Sequence, residues 1–170
     1  MKTLVILRHA KSSWADVGAA DFDRPLNKRG RGAAEAVARE LKARLPAIDA
    51  VLASPAARVR ETLDRLQATY GALPPVRFEQ SLYLAEPDAI MRLVQTLANE
   101  LQTALVVGHN PGLHSLVLAL SEPNDRLRAE LVTNLPTGAA AVLELPVTEW
   151  SDVRLGTAGI AALILPRNLP

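Results

Sequence analysis

The sequence predicts a single-domain α/β layered sandwich, with a mostly parallel central sheet and helices on both faces. Three observations predict it. Short aliphatic runs at 4–7, 48–53 and 103–107 alternate with longer segments of helical periodicity, the pattern of strands joined by helical crossovers. The 170 residues suit one core, and no linker, repeat or low-complexity tract divides residues 1–170. Hydrophobic residues make up 49% of the chain but aromatics only 4%, so the core is aliphatic, which favours α/β layers over an aromatic-rich sandwich.

The first strand is Leu4-Val5-Ile6-Leu7, an apolar run buried on both faces that stops at Arg8-His9. A polar loop to Asn27 follows, with Asp16, Asp21, Asp23 and Arg24-Pro25, broken by Gly18 and Pro25. Gly30 to Arg44 is a helix: Ala33, Val37 and Leu41 repeat every four residues, Asn27 caps the start and Pro46 marks the end. Lys28, Arg29 and Arg31 read as a solvated helix start. Ile48–Ala53 is the second strand. Ser54-Pro55 reads as the start of a helix that runs to about Tyr70, with Ser as cap and Gly71 as stop.

Val76–Glu79 is a short edge strand, and a helix runs from Pro87 or Asp88 through Glu100. Thr103–Val107 is another buried strand, ending at Gly108-His109-Asn110-Pro111-Gly112 and followed by an apolar helix from Leu113 to Leu120. Residues 121–134 are polar. Ala139–Leu145 and Ile160–Leu165 complete the strands.

Composition excludes several function classes. A net charge of +1 provides no global field for nucleic acid or an anionic membrane. The absence of cysteine excludes disulfides, thiolate metal sites and cysteine nucleophiles. No signal peptide is evident and no apolar run is long enough to span a bilayer, so the expected location is the cytoplasm.

Two buried strands thus end in histidine, at His9 and His109, and a third runs into Ser54-Pro55-Ala56-Ala57-Arg58. In a parallel sheet all three ends open on one edge, where ligands bind. That edge then carries Arg8, His9, Arg58, His109 and Arg24 from the first loop. Three guanidiniums and two imidazoles repel one another unless an anion sits among them. A phosphoryl group fits, because arginine binds its oxygens through paired, charge-assisted hydrogen bonds. Asn110-Pro111-Gly112 at a helix start adds backbone N–H groups suited to an anion.

These residues resemble the histidine phosphatase superfamily, the phosphoglycerate mutase-like enzymes. Arg8-His9-Ala10 resembles its Arg-His-Gly signature, and Asp23-Arg24-Pro25-Leu26 with Gly30 resembles its Arg-Pro-Leu-Thr-x-x-Gly element. Ser54-Pro55-Ala56-Ala57-Arg58 with Thr62 resembles Ser-Pro-x-x-Arg-x-x-x-Thr, and Val107–Pro111 resembles the segment bearing the second histidine. The short motifs and Leu82-Tyr83-Leu84-Ala85 look most like the small SixA-type phosphohistidine phosphatases. The resemblance implies His9 as a nucleophile that forms a phosphohistidine intermediate. It implies Arg8, Arg24 and Arg58 as holders of the phosphoryl oxygens, with His109 sharing the pocket; Asn110, at the helix start, is a further substrate-binding candidate. It implies no metal and no cofactor. The substrate it implies is a phosphohistidine-bearing protein. Alternatives are a small phosphorylated substrate, as in a phosphomonoesterase, or a catalytically silent phosphoprotein-binding module.

Three departures bear on this. Ala10 stands where glycine is usual, so backbone approach or a positive φ there would be hindered. Asn27 stands where Thr or Ser is common, and each can cap a helix. Ser81-Leu82-Tyr83 occupies the place where many relatives carry a glutamate proton donor; Glu79 and Glu86 lie nearby without fitting it, so the general acid is unassigned. A phosphoramidate tolerates that absence, because its leaving imidazole can already carry the proton. Arg60 is the alternative to Arg58, and the motif spacing favours Arg58. His114 reads as an ordinary helix residue. Trp14 either lines the mouth of the site or packs in its loop, and Lys11, Ser12 and Ser13 are further donors for a phosphate.

Overall fold

The computed structural model describes residues 1–170. Its elements run β1 (Lys2–Arg8), α1 (Lys28–Arg44), β2 (Ala50–Ala53), α2 (Ala57–Tyr70) and β3 (Val76–Phe78). Then come α3 (Pro87–Val94), β4 (Thr103–Gly108), α4 (Gly112–Leu120), β5 (Ala140–Leu145) and β6 (Gly159–Ile164). The six strands form one sheet in the order β3-β2-β4-β1-β5-β6. The four strands β1 to β4 are mutually parallel, and β5 pairs antiparallel with both β1 and β6. The architecture is the α/β sandwich expected, with β5 the one strand that reverses.

Side-chain alternation along β1 divides the core in two. Leu4 and Ile6 face α3, α4 and Trp150, whereas Val5 and Leu7 face α1 and α2. All four are at most 1% exposed, and burying each such side chain stabilises the fold by about 1.5–3 kcal/mol. Lys2, at the start of β1, is also buried; its ammonium donates to the carbonyls of Asn99 and Leu101 and lies over the Trp150 ring. This satisfies a charge that would otherwise be costly to bury.

Several boundaries shift by one or two residues from the sequence expectation, and two differences have a structural cause that matters. Ser54 is not a helix cap. Its N–H continues the strand ladder to the Val107 carbonyl at 3.1 Å. Its hydroxyl accepts from Ala56 N, and α2 begins at Ala57 with no side-chain cap. The helix expected through Glu100 stops at Val94. There the Thr96 hydroxyl donates back to the Leu93 carbonyl, and Asn99 turns inward to bind Trp150 N through its side chain and Lys2 through its carbonyl. Leu97 still packs on the core from this irregular segment, which is why the apolar spacing reads as helix beyond the helix end. The polar stretch 121–134 holds a 3-10 turn at Arg126–Leu131, capped by Asp125.

Candidate active site

The registers Arg8↔Gly108 and Ala53↔Val107 place the ends of β1, β4 and β2 side by side, so His9, His109 and Ser54 emerge together on one edge. They open on a cavity of about 330 Å³ that Arg8, His9, Arg24, Arg58, His109 and Asn110 all line. All six residues assigned to the site from the sequence therefore line one cavity. Lys11, Ser12 and Trp14 line the cavity too; Ser13 does not, and its hydroxyl instead accepts from Ala15 N.

Arg58 is the hub. It is 3% exposed. Its Nε donates to His9 Nε2 at 3.3 Å, and Nη2 donates to His109 Nδ1 at 3.3 Å. Nη1 and Nη2 also donate to the Asp21 carbonyl at 2.7 Å and to Asp21 Oδ2 at 3.1 Å. Arg60, two residues on, points outward: its Nε donates to the Pro55 carbonyl and its guanidinium lies over the Phe78 ring.

These bonds assign the histidine tautomers. A guanidinium can only donate, so His9 Nε2 is the unprotonated, accepting nitrogen and Nδ1–H donates to the Ala10 carbonyl at 2.7 Å. His109 is the mirror case: Nδ1 accepts from Arg58 and Nε2–H donates to Ser54 Oγ at 2.7 Å. Burial, reinforced by the charges of Arg58, Arg8 and Arg24, lowers the His9 pKa to about 4, against the opposing pull of the Ala10 carbonyl. Burial, then His9 and Arg58, lower that of His109 to about 3. Both rings are neutral at pH 7, and His9 presents an unprotonated Nε2 among cations.

The other two guanidiniums are incompletely bonded. Arg8 Nη1 donates to the Leu135 carbonyl at 3.1 Å, but its Nε is buried with no partner. Arg24 donates through Nε to Asp21 Oδ1 at 3.3 Å and lies 3.5 Å from the centre of the Trp14 ring, while its Nη1 is buried and unpartnered. Trp14 is thus a mouth residue, 74% exposed, stacked on Arg24.

The supporting contacts explain the motifs. Gly30 is needed because a Cβ there would lie 2.1 Å from the Lys11 carbonyl, where α1 is pressed against the loop. Thr62 accepts from Ala10 N at 3.0 Å and donates to the Arg58 carbonyl at 2.7 Å, tying α2 to the end of β1. Glu61 holds Leu26 N, fixing the segment that carries Arg24. Ala10 has no positive φ, and its methyl packs with Leu26 and Ala34, so the expected strain is absent. The start of α4 contributes less than expected. Of Asn110-Pro111-Gly112 only Asn110 lines the cavity, and Gly112 is packed so tightly on Ala85 that a Cβ would sit 1.9 Å from its carbonyl. Both amide hydrogens of Asn110 are given to Asn134 and Leu135, so it anchors the loop that holds Arg8.

Sequence reasoning missed three contributors. Asp21 gathers Arg24, Arg58 and the Tyr83 hydroxyl on one carboxylate; the bond from Tyr83, then Arg58, holds its carboxyl below the usual range. Tyr83 also sets its ring edge against His109, 5.3 Å between centroids. Leu84, at φ +52°, brings an exposed apolar side chain to the mouth. Asp21 sits three residues before Arg24, a legible spacing, but Asp16 and Asp23 compete in the same loop. No Asp or Glu lines the cavity: Glu79 pairs with Arg77, and Glu86 lies outside it. His114 binds the Leu131 carbonyl, an ordinary helix residue as read.

A strand-end imidazole with an unprotonated Nε2, ringed by three arginines and a second imidazole, defines a phosphoryl-handling site on a phosphoglycerate mutase-like fold. The chain belongs to the histidine phosphatase superfamily (branch 1), whose model matches residues 4–83, and within it to the SixA type. An uncharacterised protein of Mycobacterium tuberculosis (strain H37Rv) is 40% identical over 164 residues, covering 95% of this chain and 100% of that one. A Nakamurella multipartita structure assigned as a phosphohistidine phosphatase SixA is 32% identical, with a TM-score of 0.84 over 97% of this chain and 96% of the other. A similarly assigned Agrobacterium tumefaciens structure is 30% identical, with a TM-score of 0.82 over 97% and 98%. The chain is therefore a phosphatase of the hydrolase class, and no helix is long and apolar enough to cross a membrane.

Proposed function

We propose that the protein is a metal-independent phosphohistidine phosphatase acting on a phosphohistidine-bearing protein in the cytoplasm, with His9 as nucleophile. The observation that carries this is the unprotonated Nε2 of His9 beside Arg58, in a cavity where Arg8 Nε and Arg24 Nη1 are buried without partners. A phosphoryl group supplies the oxygens those donors lack. The His9 Nε2 lone pair attacks phosphorus while the bond from phosphorus to the leaving imidazole nitrogen breaks; that imidazole departs with its own proton. Water then attacks the phosphorus on His9 as the P–Nε2 bond breaks; its proton passes to the departing inorganic phosphate or to solvent, and the ring recovers its Nε2 lone pair. The arginines stabilise the charge on the transferring group.

The proton inventory favours phosphohistidine over an alkyl ester. No carboxyl lines the cavity, Asp21 is held ionised, and His109 turns its Nε2–H toward Ser54 rather than a leaving group. A leaving alkoxide finds no acid here; a leaving imidazole needs none. The test is turnover of a phosphohistidine protein against an alkyl phosphate, with and without EDTA. The expected result is hydrolysis of the phosphohistidine protein, unaffected by EDTA and abolished in His9→Ala. Preference for the alkyl ester, or loss of activity in EDTA restored by Mg²⁺ or Zn²⁺, refutes it.

A further inference from the structure

Beside the phosphoryl cavity lies a second, larger groove of about 410 Å³, between α1 and the C-terminal 3-10 turn Pro166–Asn168. Its wall includes apolar surface from Leu165, Pro166 and Leu169. Its rim carries Lys11, Arg29 and Arg167, all exposed, none in an ion pair or side-chain hydrogen bond, and no Asp or Glu lines it. Elsewhere on the surface Arg44, Arg65 and Arg77 each meet a glutamate, while Lys28, Arg39, Lys42, Arg92 and Arg126 are also unpaired but line neither this groove nor the phosphoryl cavity. The groove is continuous with the site, because Lys11 and Thr137 line both. The shared wall is tied to the candidate nucleophile: Gly138 N, next to Thr137, donates to the Arg8 carbonyl at 3.1 Å and the His9 carbonyl at 2.9 Å.

We propose that this groove docks an acidic, apolar stretch of the substrate polypeptide flanking the phosphohistidine. The proposal rests on the phosphohistidine reading and adds what selects among phosphohistidine proteins. Three unpaired cations over an apolar wall complement a segment that mixes carboxylates with leucine-like side chains. A phosphoryl group alone occupies only part of the adjoining cavity and does not reach the groove. The groove gives a bound polypeptide a path away from it, and exposed charges at its rim act on encounter and discrimination more than on chemistry.

The experiment compares three substrates: free phosphohistidine, a phosphohistidine peptide flanked on both sides by Glu and Leu, and the same peptide flanked by Lys and Ser. Each is assayed with the native chain and with the double variant Arg29→Glu/Arg167→Glu. The native chain should favour the acidic peptide by about tenfold in kcat/KM, an advantage that shrinks in 0.5 M salt. The double variant should lose or invert that preference through KM, with turnover of free phosphohistidine unchanged. If free phosphohistidine is hydrolysed but the native chain shows no acidic preference, or the variant keeps it, the groove assignment is overturned while the activity stands. If no phosphohistidine compound is hydrolysed although an aryl phosphate is, the functional reading fails and the docking role falls with it.

Discussion

Replacing Arg58 by alanine should be the most damaging change to an arginine in this protein, and the structure says by how much. Arg58 is buried and bonds at once to His9 Nε2, His109 Nδ1 and both the carbonyl and carboxylate of Asp21. Removing one buried, preorganised donor costs about 3 kcal/mol of transition-state stabilisation, roughly a hundredfold in rate. A second effect follows from the same contacts: without the neighbouring cation, the His9 pKa should move up from about 4 toward its ordinary value. Arg58→Lys should not rescue activity, since one ammonium cannot span His9, His109 and Asp21. Arg60→Ala is the control, because Arg60 touches only the Pro55 carbonyl and the Phe78 face; it should change kcat by less than about twofold. The assay is steady-state hydrolysis of an aryl phosphate by all four proteins, with ¹⁵N NMR titration of His9. Near-native turnover by Arg58→Ala, or a greater loss in Arg60→Ala, would refute the reasoning.

Two further predictions concern charge. His9 and His109 are buried neutral, with pKa values lowered to about 4 and about 3. Between pH 7 and 5 the unfolded chain therefore takes up protons that the folded chain refuses, and stability should fall with pH by about 2 kcal/mol per histidine. Urea denaturation of the native chain and of His9→Gln/His109→Gln across that window measures it, and equal slopes would contradict the assignment. Asp21→Asn removes the carboxylate that orients Arg24 and Arg58 but also competes with phosphate for them. It should lower kcat about tenfold and tighten inhibition by inorganic phosphate; unchanged kcat would remove Asp21 from the positioning network.

The parts of this molecule that were legible in the sequence are those decided locally. The aliphatic runs of β1 and β4 admit only buried strands, and the histidines that end them land together because parallel register puts them there. What was illegible is decided by contacts distant along the chain. Ser54-Pro55 carries a helix-start signature, but Ser54 is held in the ladder by β4 and its hydroxyl is taken by His109, 55 residues away. Tyr83 meets Asp21 across 62 residues, and neither residue type nor local spacing announces that pair. The reversal of β5 has no local signal either: Ala140–Leu143 is a continuous buried apolar run, the pattern of a parallel strand.

The central claim is that His9 Nε2 takes the phosphoryl group, and trapping that adduct tests it most directly. Native chain and His9→Ala are mixed with ³²P-labelled phosphohistidine protein, quenched within milliseconds, and the label on the enzyme is challenged with acid and alkali. A label on His9 that survives alkali, is lost in acid and is missing from His9→Ala is the predicted result. An acid-stable label, or full turnover by His9→Ala, would contradict it.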